Sequence, residues 1–241
     1  MPNKKSETTY YLYGKHTCLS ALQNPLRKIH KIFVSPKLEN NIPNKFREIT
    51  KILSIKEIEN ILPKGSLHQG IALLASPTTK YQLNNINLEE VKRIAILDQI
   101  TDPHNFGAII RSAAAFDIEV VIYPKDHSPN ENSIIAKTSS GGLDQVKLAQ
   151  VTNISSAILE LKKKNFWIIG LGGDSKELLT PEKTRGKIAI ALGSEGKGLR
   201  RLTRNNCDEI LKIPMSHKME SLNVSVAASI SFFQAYLENF N

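Results

Sequence analysis

Cysteine and tryptophan are scarce in this chain, with two of the former and one of the latter in 241 residues. Cys18 and Cys207 lie in different halves without CxxC spacing, which excludes a thiolate zinc site and a disulfide framework. Both read as small core hydrophobes, and a reducing cytoplasmic compartment suits such usage. The histidines, His16, His30, His68, His104, His127 and His217, never form an i, i+4 pair, so no metal is expected. No apolar run approaches the ~20 residues that cross a bilayer, and the polar, lysine-bearing start has no apolar core of a secretory signal. No membrane partner is expected. Internal repeats and low-complexity tracts are also missing.

What the chain does contain is distributed unevenly. The formal net charge is +9. Residues 1–80 hold 13 Lys+Arg against 5 Asp+Glu, whereas residues 81–241 hold 19 against 18. Basicity confined to one half points to a surface for a polyanion, and nucleic acid fits better than membrane because no amphipathic aromatic face accompanies the lysines.

Apolar periodicity divides the chain in the same place. After a basic tail over residues 1–9, Tyr10–Tyr13 reads as a strand, the Cys18/Ala21/Leu22 spacing as a helix stopping at Asn24-Pro25, and Lys31–Val34 as a strand. Phe46, Ile49, Ile52 and Leu53 predict a helix, Ile55–Leu62 a further helical turn and Ile71–Ala75 a strand. A small α/β domain over residues 10–76 is the expectation, followed by a polar linker over 77–90. Beyond it, runs at Ile94–Leu97, Val120–Tyr123, Phe166–Leu171, Ile188–Leu192 and Ile210–Ile213 alternate with helical patterns at Asn105–Phe116, Ile154–Lys164 and Ser221–Leu237. That order predicts, over residues 91–241, an α/β domain with a mainly parallel sheet covered by helices on both faces.

Three stretches place polar groups at the ends of these strands, where ligand sites of open α/β sheets form. The first runs from Asp98 through Asn105 to Arg111, with Asp102 or Asn105 available to cap the helix that carries Arg111. Asn105 and Arg111, six residues apart, do not stack directly but can flank one pocket at the helix start. Arginine is well shaped to hold a phosphate or a developing alkoxide. The second, Leu192-Gly193-Ser194-Glu195-Gly196-Lys197-Gly198, is neither a P-loop nor a dinucleotide fingerprint, and its central carboxylate disfavours a pyrophosphate. Glycines beside a carboxylate suit a ligand with a cationic part, and S-adenosylmethionine carries a sulfonium. The third runs from Ile213-Pro214-Met215 to Ser221-Leu222-Asn223, where proline removes a donor and Ser221 or Asn223 can cap a long apolar helix.

Together the three stretches resemble the motifs of the SpoU/TrmH family of knotted RNA ribose 2'-O-methyltransferases. The Tyr13-Gly14-Lys15-His16 and Leu67-His68-Gln69-Gly70-Ile71 segments resemble the small substrate-binding domain of the branch that modifies a guanosine of large-subunit rRNA, a domain related to kink-turn-binding ribosomal proteins. The resemblance implies a C-terminal trefoil knot and a homodimer with each site built across the interface. It implies S-adenosylmethionine held near Gly193, Ile213 and Leu222, with Leu192 and Met215 as neighbours. It matches Asn105, Arg111, Glu195, Ser221 and Asn223 to polar active-site positions, and it implies rRNA as partner with no metal. Two other readings stand beside it: ribose methylation of tRNA, and a catalytically silent RNA-binding protein of ribosome assembly. A dehydrogenase is the weakest choice, since no dinucleotide fingerprint exists.

Overall fold

The computed structural model describes residues 8–78 and 80–240, so the basic tail expected over 1–9 lies, apart from Thr8 and Thr9, outside the described residues. Two compact units emerge. One comprises the described part of Met1–Thr79 together with Asn130–Gln145, the other Lys80–Pro129 with Val146–Asn241. The partition differs from a single cut at residues 77–90, because the chain leaves the second unit at Asn130 and returns to it at Val146.

The first unit is built on strands β1 (Tyr10–Tyr13), β2 (Ile29–Val34), β3 (Thr50–Ile52) and β4 (Ile71–Ala75), in the order β1-β4-β2-β3. Only the β2–β3 pair is parallel. Side chains alternate across this sheet. Tyr11, Tyr13, Phe33 and Ala72 meet Ile58 and Leu62 of helix α2 (Ile55–Ile61) and its end, while Leu12 points to the other face, where α1 (Lys15–Gln23) buries Cys18, Ala21 and Leu22. Ser54 and Glu57 form a reciprocal capping box that starts α2. The helix expected at Phe46–Leu53 is absent. A 3-10 turn over Asn44–Ile49 runs instead into β3, where β-branched Thr50 and Ile52 pair with Ile32 and Val34, and Ile52 stays 49% exposed. Its apolar spacing serves an edge strand, not one helix face.

The inserted segment supplies helix α4 (Ser133–Ser139) and anchors itself through a buried charge cluster. Arg27 grips Asp144 with Nε (2.8 Å) and Nη2 (2.9 Å), and its Nη1 donates to Glu131 (2.6 Å) and to the Ser76 carbonyl (3.0 Å). Tyr10 and Thr78 also donate to Glu131, and Asn24 donates to Asp144. Burial by itself lowers the pKa of the guanidinium, but the hydrogen bonds to Asp144 and the charges around it outweigh that effect and raise it. Burial, reinforced by Glu131, raises the Tyr10 phenol as well. The arginine is therefore a permanent cation that two carboxylates neutralise.

The second unit carries strands β5 (Arg93–Asp98), β6 (Val120–Pro124), β7 (Lys147–Val151), β8 (Trp167–Leu171), β9 (Ile188–Gly193) and β10 (Glu209–Leu211). All are parallel, in the order β10-β8-β9-β5-β6-β7, so their carboxyl ends share one edge. Helices α3 (Pro103–Ala115), α5 (Ile154–Lys163), α6 (Arg201–Asn206) and α7 (Val224–Tyr236) connect or follow them. Strand β7 and helix α6 escape a periodicity reading because both are short and rich in Lys, Gln, Arg or Asn. The stretch expected as a polar linker also packs: Leu83, Ile86 and Leu88 are buried in the main core cluster, and Tyr81 bridges to Ala149 beside β7. Three apolar residues among the asparagines suffice to dock it.

Replacing Arg27 with Met strands two carboxylates in a buried site, and chemical denaturation is expected to show a loss of about 3–5 kcal/mol. The thiols give a second check. Burial raises the pKa of Cys18 strongly and that of Cys207 to about 12. At pH 8 both should resist a thiol–disulfide reagent in the native protein and react fully in denaturant.

Candidate active site

Strand β9 ends at Gly193, and the chain then folds back on itself. Ser194 bridges Gly198 in antiparallel fashion, with Gly196 at φ +80° and Gly198 at φ +65°, a region that suits glycine. A side chain at Gly193 has no room, since a Cβ there would lie 2.0 Å from the Gly198 carbonyl carbon and 2.2 Å from the Leu199 nitrogen. The loop's far end is pinned too. Asp98, fully buried at the end of β5, accepts the Arg200 backbone N–H (3.0 Å) and its Nε (2.6 Å).

This fold-back carries Glu195 to the starts of two helices. Asp102 caps α3 by accepting from the Asn105 N–H (2.9 Å), and Asn223, not Ser221, caps α7 by accepting from Ser225 N (2.9 Å). The Asn105 and Asn223 amides both donate to Glu195 Oε1, at 3.0 and 2.6 Å, and Val224 N approaches the same oxygen at 3.4 Å. Asn223 Nδ2 also donates to Asn105 Oδ1 (3.0 Å). One carboxylate oxygen thus joins three segments remote in sequence, and Glu195 Oε2 has no partner among the described residues. Neutral amide donors hold the carboxylate in place without cancelling its charge, so the cluster can orient a cationic or hydroxyl-bearing ligand.

The other expected site residues fall in different surroundings. Arg111 follows Asn105 on α3 by six residues, about 240° around the axis and about 9 Å along it. It is exposed and has no hydrogen bond or ion pair among the described residues, so within one chain it does not join the Glu195 cluster. Ser221 is exposed and likewise unpaired among the described residues. Leu192 is buried, Gly193, Ile213 and Leu222 are half-buried, and Met215 is 37% exposed. Ile213 to Ser216 follow β10 outside any strand or helix, so their backbone groups are not spent on a ladder. The carboxyl ends of β9 and β10 flank that of β8, which puts Gly193 and the Ile213 segment on one edge of the sheet. A half-buried glycine at a strand end, apolar side chains and unladdered backbone groups are the donor set and surface that suit an adenosyl ligand such as S-adenosylmethionine.

Asp98 and Arg200 were not legible as site residues. The available signal was a lone carboxylate closing an all-apolar strand, which has to find a partner when buried.

Comparison with known proteins follows this geometry. Residues 92–233 match the family model described as SpoU rRNA Methylase family, and residues 11–81 match the one described as RNA 2'-O ribose methyltransferase substrate binding. The 23S rRNA (guanosine-2'-O-)-methyltransferase RlmB of Salmonella typhimurium is 35% identical over 240 residues, covering 93% of this chain and 96% of that protein. The SpoU methyltransferase AviRb of Streptomyces viridochromogenes, solved with AdoMet, has the same fold at a TM-score of 0.78 and 18% identity, with 96% of this chain and 91% of that one covered. An AdoMet-bound rRNA methyltransferase from Sinorhizobium meliloti matches at 0.78 and 18%, covering 97% and 88%.

Gly193→Ala is expected to destabilise the protein by at least the upper end of the ~1–3 kcal/mol typical of overpacking, because the obstructing atoms are backbone. Thermal unfolding measures it. Asn223→Ala removes a helix cap and a Glu195 donor together, and should cost about 1–2 kcal/mol in the same assay.

Proposed function

The chain belongs to the SpoU rRNA methylase family, and from that membership we propose that it transfers a methyl group from S-adenosylmethionine to the ribose 2'-hydroxyl of a guanosine in 23S rRNA. The observation that carries this reading is the meeting of Asn105, Glu195 and Asn223 at the sheet edge beside Gly193, in a chain that its RlmB relative matches over 93% of its length. We assign residues 11–81 to binding RNA, in line with the substrate-binding family they match and the basicity of that half, and the second unit to catalysis.

Leu192, Gly193, Ile213, Met215 and Leu222 are the residues assigned to the cofactor, with Gly193 allowing close approach of backbone. When bound, the cofactor supplies an electrophilic methyl group on a sulfonium. That methyl would pass to the ribose oxygen, leaving the donor as a thioether, and the displaced hydroxyl proton would go to solvent. The chain's own contribution is positioning and charge. The planar guanidinium of Arg111 is suited to hold a neighbouring phosphate and stabilise the developing alkoxide, and that is its role in this reading, not removal of the proton. Asn105, Glu195, Ser221 and Asn223 shape the pocket in which the ribose lies.

Since Arg111 does not reach the Glu195 cluster of its own chain, we assign it to the cluster of a second copy. Helix α7 supports such a dimer. It buries Val224, Ala228, Phe232 and Ala235 on one face, yet Val226, Ile230 and Phe233 on its other side are 45%, 38% and 47% exposed. A helix apolar all round has a second partner to meet, and a twofold contact is the commonest solution. The reading also includes the trefoil knot of the family, with the Ser194–Leu199 fold-back across Gly193 as part of it, and action in the cytoplasm.

Mapping of 2'-O-methyl groups in cells lacking the protein should show one guanosine of 23S rRNA unmodified; loss of a tRNA methyl group instead would overturn the rRNA reading. Arg111→Ala should keep S-adenosylmethionine affinity while turnover falls at least about a hundredfold, the scale of a lost transition-state contact. Mixing Arg111→Ala with Glu195→Ala subunits should restore about a quarter of the sites if each site draws on both copies of a twofold dimer. No recovery on mixing would place Arg111 outside the shared site.

A further inference from the structure

The first unit contains a cleft of about 520 Å³ bounded by the start of α1, the turn following β2, the first turn of α2 and the turn that leads into β4. Its lining has a definite chemistry. Lys15 and Lys37 are exposed, neither ammonium has a partner among the described residues, and no carboxylate lines the cleft. Pro36, Leu38 and Ile55 supply apolar surface, with Ile55 52% exposed although it opens a helix whose Ile58 is fully buried.

The walls are held by specific contacts. Gln69 adopts φ +55°, uncommon for a residue with a side chain, and its Oε1 accepts the Lys15 backbone N–H at 3.0 Å. That bond fixes the amide and leaves its Nε2 donor without a partner among the described residues. The adjoining Gly70 carbonyl accepts the Ser35 backbone N–H at 2.8 Å, and a Cβ at Gly70 would come within 2.7 Å of Ser35 Oγ, so the two turns stay close.

Resting on the RNA reading above, we propose that this cleft receives one unpaired nucleotide of the RNA. The base lies on Pro36, Leu38 and Ile55, Gln69 Nε2 reads its edge, and Lys15 and Lys37 bind the flanking phosphates. A duplex does not suit the cleft, because its base faces are stacked away, whereas a splayed single-stranded base offers both an apolar face and an edge. Two cations without partners, in a cleft that no carboxylate lines, favour a polyanion over a peptide of ordinary composition.

The test uses the full-length enzyme with a transcript of 23S rRNA. Lys15→Ala/Lys37→Ala is expected to raise KM for the transcript about tenfold, with kcat and S-adenosylmethionine affinity unchanged, and to lower the slope of log affinity against log salt by about 1.4. Ile55→Glu should raise KM comparably, and Lys15→Arg/Lys37→Arg should restore it. The control Lys147→Ala/Lys163→Ala, which removes two exposed lysines of the second unit that lie outside both the cleft and residues 11–81, should change KM less than twofold. Unchanged KM in the cleft variants, or an equal loss in the control, overturns the pocket. A wild-type enzyme that methylates tRNA but not this transcript refutes the rRNA reading alone, and the same variants are then compared on tRNA, where the same outcomes decide.

Discussion

The backbone crossing at Gly193 is the constraint on which the catalytic edge depends. Because no Cβ fits between Gly193 and the Gly198–Leu199 peptide, the loop after β9 lies flat against the strand it has just left. Two consequences follow from that single contact. Glu195 is delivered to the amino ends of α3 and α7, and Arg200 comes within reach of the buried Asp98. A side chain would remove the contact and loosen both together. The Asp98–Arg200 pair works from the opposite end: β5 and β9 are hydrogen-bonded neighbours, and Asp98 is opposite Gly193 in their register. The buried carboxylate therefore holds the loop's exit directly beside its entrance.

Strong local signals in the sequence carried most of the second unit. The runs that became β5, β6, β8 and β9 are apolar throughout because helices cover both faces of a parallel sheet, so burial writes itself into composition. Helices α3 and α5 declared themselves by spacing, and α3 also by its candidate cap Asp102. Where the reading went astray, local and tertiary preferences disagreed. Phe46 to Leu53 has helical spacing, yet an edge position beside β2 uses Thr50 and Ile52 as strand residues. The segment 80–90 looks solvated because asparagines surround Leu83, Ile86 and Leu88, and periodicity cannot detect three isolated anchors. The polar site was legible as motifs, while its geometry was not. Sequence spacing suggested that Asn105 and Arg111 flank one pocket, but only coordinates show that Glu195 gathers Asn105 and Asn223 and leaves Arg111 on another side of α3.

The excursion of Asn130–Gln145 into the first unit was invisible for a further reason. Its anchor, Arg27 between Glu131 and Asp144, joins residues more than a hundred positions apart, and each taken singly reads as an ordinary surface charge. Buried ion clusters seldom add net stability over an apolar equivalent, since desolvation offsets the attraction. Their contribution is selectivity. An apolar contact tolerates sliding, whereas a guanidinium fork paired with Asp144 on one side and Glu131 on the other is satisfied in one arrangement only. The cluster fixes which piece of the second half joins the basic sheet, and any alternative docking leaves at least one charge buried without a partner. Because the chain between β6 and β7 passes through the first unit, this specificity also ties the folding of that unit to a strand connection of the parallel sheet.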